Sequence, residues 1–189
     1  MKLSPILFIS AAFASTLAHT IQLPDLPDGS YLISIGEDGK PTWTEITANA
    51  TDAPAPVVPK RGTNKISTRL RKRFIWPSGT FPYCPGGDWF LQDDLYSHGW
   101  DAFWNMCWEG GNRRYPAHTT ITQYQGSSVT YMCAFTTNPC GTEEWVDAVN
   151  WVAGGCPGRS NGLMEPGFLD IPAWHKRYGY AKVGSSICG

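Results

Sequence analysis

All six cysteines of the chain, Cys84, Cys107, Cys133, Cys140, Cys156 and Cys188, lie on the C-terminal side of the basic cluster Arg71-Lys72-Arg73. An even set of cysteines in a small domain, with no Cys-x-x-Cys pair, is expected to form disulfides in an oxidising compartment and not to bind metal. His98, His118 and His175 stand singly along the chain, so neither a metal nor another cofactor is expected. Spacing alone leaves the pairing of the six open.

The N-terminus points to the same compartment. Lys2 precedes an apolar run from Ile6 to Ala14, and Thr16 and Ala18 offer small residues to a signal peptidase, so residues 1–18 are expected to be a signal peptide. The run is well short of the roughly 20 residues that a membrane-crossing helix needs, and no later segment approaches that length. Residues 19–73 then form a pro-segment and linker, and residues 74–189 a mature disulfide-rich domain. Dibasic Lys72-Arg73 suits a kexin-type protease during secretion, with Lys60-Arg61 a weaker candidate. Lys176-Arg177, between Trp174 and Tyr178 in what should be folded chain, is expected to escape cleavage.

Charge divides at the same boundary. Residues 19–73 carry eight Lys/Arg against six Asp/Glu, net +2, and residues 74–189 carry six against ten, net -4. An acidic domain is a poor match for nucleic acid, which needs a basic face. Eight of the nine Trp, seven of the eight Tyr and six of the eight Phe follow Arg73, enough bulk for one core. A domain of this size buries somewhat less than about 70% of its unfolded surface. Three disulfides of roughly 2 to 4 kcal/mol each would reinforce it, and a monomer is expected.

Tyr31 to Ile35 and Thr42 to Ile46, joined by the turn residues Gly36-Glu-Asp-Gly39, predict a hairpin in the pro-segment. A lone hairpin is unstable in water, so it either pairs with the mature domain's sheet or is transient. Asn49-Ala-Thr51 is the one glycosylation acceptor, and Ala53 to Pro59 reads as an extended linker. In the mature domain, Trp100, Phe103, Trp104 and Cys107 share a helical face. Thr119 to Tyr124 and Ser128 to Phe135 are strands about the turn Gln125-Gly126-Ser127. Thr142 is placed to cap a second helix whose Trp145, Val149 and Val152 repeat at helical spacing, and Gly154-Gly155 ends it. A last strand is predicted near Tyr178 to Val183. This order predicts an α+β fold, a disulfide-stabilised sandwich of two helices on a small antiparallel sheet.

Catalysis finds little footing. Paired cysteines offer no thiol, no Gly-x-Ser-x-Gly elbow occurs, and the carboxylates Asp93, Asp94, Asp101, Glu109, Glu143, Glu144, Glu165 and Asp170 cannot be placed in pairs from sequence. Glu143 and Glu144 suit the first turn of a helix. His98 and His175 are more simply packing or capping residues than acids or bases. Of the tryptophans, Trp108 is least constrained: with Arg113, Arg114 and Tyr115 it forms a loop that offers an aromatic face and two guanidinium groups, the first choice for a binding surface.

Val129-Thr-Tyr-Met-Cys133, Cys140 leading into a helix with Trp145 and Ala148, Cys156, and Tyr178-Gly179 before Cys188 resemble the layout of fungal small secreted cysteine-rich proteins. Within these, the necrosis-inducing apoplastic effectors and the killer-toxin-like class are the nearest group. Leu23-Pro-Asp-Leu-Pro-Asp-Gly-Ser-Tyr31 and the dibasic junction are similar to precursors of that kind. The resemblance implies an extracellular effector without cofactor or established active site, acting by binding a target on host or competitor cells or in the apoplast. Six mature cysteines and the many tryptophans depart from the pattern. The alternative is a secreted protein that binds cell-wall polysaccharide through exposed aromatics, or a small hydrolase.

Overall fold

The computed structural model of the chain describes residues 20–46, 74–108, 113–156 and 161–189. The signal segment, Asn49, Lys60-Arg61 and the junction Arg71-Lys72-Arg73 lie outside the described residues.

The hairpin expected in the pro-segment forms, as β2 (Gly29–Ile35) and β3 (Pro41–Glu45). It does not stand alone. β2 pairs along β7 (Thr119–Gln125), which pairs with β8 (Ser128–Ala134) about the expected turn. The sheet continues through β12 (Lys176–Lys182) and β11 (Gly167–Ile171) to the edge strand β4 (Phe81–Tyr83), giving seven antiparallel strands in the order β3-β2-β7-β8-β12-β11-β4. Three short ribbons flank it: β1 (Ile21–Gln22) with β13 (Ser186–Ile187), β5 (Phe90–Leu91) with β10 (Leu163–Met164), and β6 (Arg114–Tyr115) with β9 (Asn138–Pro139).

The predicted two-helix sandwich on a small sheet is therefore wrong: the chain is mostly β, and its helices are short. α1 (Gln92–Asp94) runs through a π turn at Leu95–Gly99 into α2 (Trp100–Trp108), and α3 is Thr142–Gly155. The expectation failed because it left the hairpin's pairing with the domain open, did not count its strands in the sheet, and overlooked β11 and β4, two short strands crowded by Pro82, Pro166 and Pro172. Proline at an edge is tolerated because no ladder N–H is lost on the open side, and β4 is such an edge. At the start of α3 the cap position falls to Gly141, with Thr142 the first helical residue and no side-chain cap bond.

Alternation along each strand sorts side chains onto two faces. The helix face carries Ile121, Met132, Leu169, Tyr178 and Tyr180 beneath Phe103, Trp145, Val149 and Val152, all buried. The opposite face carries Ile33, Tyr31, Tyr124, Val129, Tyr131 and Cys133, and it is covered by Ile21 and Leu23 from one side and Ile187 and Cys188 from the other. We call this the ribbon face. Residues of β7 from Thr119 to Tyr124 and all of β8 are accordingly buried on both sides.

The disulfides form as a framework: Cys84 with Cys156, Cys107 with Cys140, and Cys133 with Cys188. The first ties the irregular arm before β5 to the end of α3, the second joins α2 to the segment entering α3, and the third pins the C-terminal ribbon to β8. Gly179 shows how closely the ribbon face packs. A methyl group on it would lie 2.5 Å from the Tyr131 ring that crosses it.

The turn between β7 and β8 is gripped twice. Gly126 takes a positive φ of 54° there, and the Asp94 carboxylate accepts from the Ser127 amide at 2.7 Å and hydroxyl at 2.6 Å. Asp28, before β2, accepts from the Gly126 amide at 2.7 Å and from Gln125 Nε2 at 3.0 Å.

Candidate functional site

The expected binding loop resolves into separate roles. Tyr115 is core, its hydroxyl donating to the Met106 carbonyl at 3.0 Å. Arg113 lies over the Tyr115 ring at 5.4 Å while its carbonyl accepts from the Cys140 amide at 2.9 Å. Arg114 donates to the Thr137 carbonyl at 3.2 Å, and its strand pairs with Pro139. Half-buried Trp108 stacks on Trp104 at 5.0 Å, with the rings 10° from parallel. Arg113, Arg114 and Tyr115 thus brace the Cys107–Cys140 bridge, and Trp108 extends the aromatic row of α2.

A cleft of about 380 Å3 lies elsewhere, at one end of the ribbon face. Ile21, Ile35, Phe135 and Pro172 give it an apolar lining, and the Cys133–Cys188 bridge and Thr120 line it as well. His118 and His175 both border it. Each takes a left-handed backbone, φ 59° and 49°, His118 directly after Pro116-Ala117 and His175 one residue beyond Pro172-Ala173, and neither is β-branched, so the conformation is accessible. The His118 carbonyl accepts from the Ile35 amide at 3.2 Å, which fixes that side of the cleft to β2. The His175 amide donates to Pro172, and its carbonyl accepts from Phe135 at 3.0 Å.

Arg177 supplies the charge. Its Nε donates to Asp170 Oδ1 at 3.0 Å, another guanidinium nitrogen donates to the Gly189 carbonyl at 2.7 Å, and the group lies 4.0 Å over the Phe168 ring. A guanidinium held on three sides is pre-oriented, so a ligand that meets it need not order it. Arg177 pairs with Asp170 at this corner, and the two imidazoles add polar groups that can hydrogen-bond a ligand. Apolar walls and oriented donors suit a ligand with an acidic or polar head and an apolar body. Thr120, the hydroxyl nearest the bridge, lies 3.3 Å from Cys188 Sγ, and the six cysteines offer no thiolate because all are paired. Among the described residues no group of three or more His, Cys, Asp or Glu is placed to hold a metal, and no helix is long and apolar enough to cross a membrane.

Glu144 has a larger part than a first-turn charge. Lys176, with its side chain 1% exposed, donates to Glu144 Oε2 at 2.7 Å and Oε1 at 2.9 Å and to the Pro139 carbonyl at 3.1 Å. The Tyr178 hydroxyl donates to the same carboxylate at 2.9 Å. Burial pushes the Lys176 ammonium down and Glu144 draws it back up; burial, then Glu144, pushes the Tyr178 phenol well up. Sealed from solvent, this triad locks the first turn of α3 to β12.

Sequence reasoning weighed His175 and Asp170 only as isolated groups, and it missed Ile21, Ile35, His118 and Arg177 as neighbours. The one local signal was a Pro-Ala pair within three residues before each histidine, at 116–117 and 172–173. Exposed aromatics occur on the edge strand β4, where Phe81 and Tyr83 reach solvent and Tyr83 packs on Phe168 at 5.1 Å, and Trp89 is also exposed. No protein-family model matches this chain, and no curated protein or solved structure matches it.

Proposed function

We propose that this is a secreted effector or toxin-like protein of a fungus, released by dibasic cleavage, that acts by binding a target on host or competitor cells. The observation that carries the reading is the cleft: a braced guanidinium and two histidines between apolar walls, stapled by Cys133–Cys188. Such a site recognises an acidic group attached to an apolar body. The leader, the dibasic junction and the cysteine layout support delivery outside the cell. The test is leaf infiltration and growth inhibition of competing cells with the purified protein, alongside His118→Gln and Ile35→Lys variants whose fold is checked by circular dichroism. Activity that falls about tenfold in both variants supports the reading, by the loss of roughly 1.4 kcal/mol of recognition. A wild-type protein inert toward both kinds of cell overturns it.

Exposed Phe81, Tyr83 and Trp89 favour a second reading, attachment to cell-wall polysaccharide by stacking of sugar rings. Retention on chitin, cellulose or glucan that is lost in Tyr83→Ala would establish it, and Trp108→Ala tests the loop in the same way.

A further inference from the structure

The seam between residues 20–46 and residues 74–189 is built like the inside of a domain. Along its edge, β2 pairs with β7 through six consecutive positions, Gly29 to Ser34 against Tyr124 to Thr119. Across the ribbon face, Ile21, Leu23, Tyr31 and Ile33 are each no more than 8% exposed, and the Tyr31 ring meets Tyr124 edge-on at 5.4 Å. Around the rim, Asp28 holds the Gly126 turn, Ser30 donates to Gln123 at 2.6 Å, the Leu23 amide donates to Ser185 at 2.9 Å, and Ser186 donates to Gln22 at 2.7 Å. None of these contacts runs through residues 47–73.

Removing the segment would leave β7 as a long unpaired edge with Tyr124, Val129 and Tyr131 facing water, an arrangement that invites aggregation. The hairpin by itself has no core to fold around. We propose that the segment is not discarded: after cleavage at Arg71-Lys72-Arg73 it remains as a non-covalent second chain, and the cleft is completed by both pieces, Ile21 and Ile35 from one and His118, Phe135 and Arg177 from the other. This rests on the processing reading in the preceding subsection. Any sugar on Asn49 then travels with the retained piece, because Asn49 precedes the cut.

The experiment compares denaturing with native mass spectrometry on the full chain after kexin-type digestion. Two fragments under denaturing conditions and one 1:1 particle under native conditions are expected. A folded 74–189 monomer without the segment overturns the proposal. An unbroken chain after digestion sinks the processing reading alone. The seam is then measured on a chain whose residues 60–73 are replaced by the site of an unrelated protease: a 1:1 particle upholds it and separated fragments refute it. On the cut protein, Ile33→Asp is expected to release the segment at least about tenfold faster. Should that variant not fold, Asp28→Asn, which touches only the rim, replaces it and is expected to quicken release several-fold. Release at the wild-type rate in the variant measured would overturn the assigned seam.

Discussion

The two faces of the central sheet are closed by different means. The helix face is covered by α2 and α3, which belong to the same stretch as the strands beneath them, and its closure is fastened by the buried Lys176–Glu144–Tyr178 triad. The ribbon face is covered by residues from far apart in sequence, Ile21 and Leu23 before the linker and Ile187 and Cys188 near the other end, with one disulfide to hold the second pair. Two disulfides, Cys84–Cys156 and Cys107–Cys140, and a polar lock secure a face that the chain closes locally. Apolar burial and a covalent staple secure a face that closes over a long distance, where loop-closure entropy is greater.

The largest effect should come from the lock. Lys176→Met leaves Glu144 as a buried, unpaired carboxylate and is expected to destabilise by about 3–5 kcal/mol in urea unfolding of the disulfide-intact protein. A loss under about 1 kcal/mol would mean that the triad does not fasten the helix face. Next is Ile33→Ala on the ribbon face, where truncating a fully buried side chain is expected to cost about 2–5 kcal/mol. If the ribbon face were a loose cover, the cost would be no more than that of a surface change. Gly179→Ala should cost about 1–3 kcal/mol by driving a methyl into the Tyr131 ring, seen as a shift of near-ultraviolet circular dichroism.

The smallest effect is a slope. Burial pushes up the phenols of Tyr124 and Tyr131 on the ribbon face and Tyr178 on the helix face. Unfolded tyrosines ionise near about pH 10, so the stability these groups contribute is whole below that pH and is lost as pH rises toward their folded values. Lys176 works the other way, because its depressed folded value makes its contribution grow as pH rises toward the unfolded one. Tyr131→Phe should flatten the alkaline loss by at most about 1.4 kcal/mol per pH unit, measured by urea unfolding above pH 10. An unchanged slope would show that Tyr131 ionises freely in the folded protein.

Local pattern made β7, β8, α3 and the β2–β3 hairpin legible, since alternation and helical spacing act over a few residues. β11 was not legible, because Gly167-Phe-Leu-Asp-Ile171 is short and stands between prolines. Joining the hairpin to the sheet could not be decided from residues 29–45 alone: Tyr31 and Ile33 need Thr122 and Thr120 opposite them, more than 80 positions away. The cleft was hidden for the same reason. His118, Ile35 and Arg177 meet only when the sheet has brought three distant strand ends together. Glu144 was placed correctly in the first turn of its helix, yet nothing nearby in sequence named Lys176 as its partner.

Lys176-Arg177 matches Lys72-Arg73 in composition, and the fold encloses it. With Lys176 enclosed and Arg177 tied to Asp170 within a paired strand, a protease that requires an extended, accessible dibasic pair is denied this one in the folded domain. An unfolded chain presents Lys176-Arg177 as well, and a cut there would sever β12 after its first two residues. For the cleavage proposed at Lys72-Arg73, the buried triad would act as a filter, because a folded molecule withholds Lys176-Arg177 from the protease and an unfolded one does not.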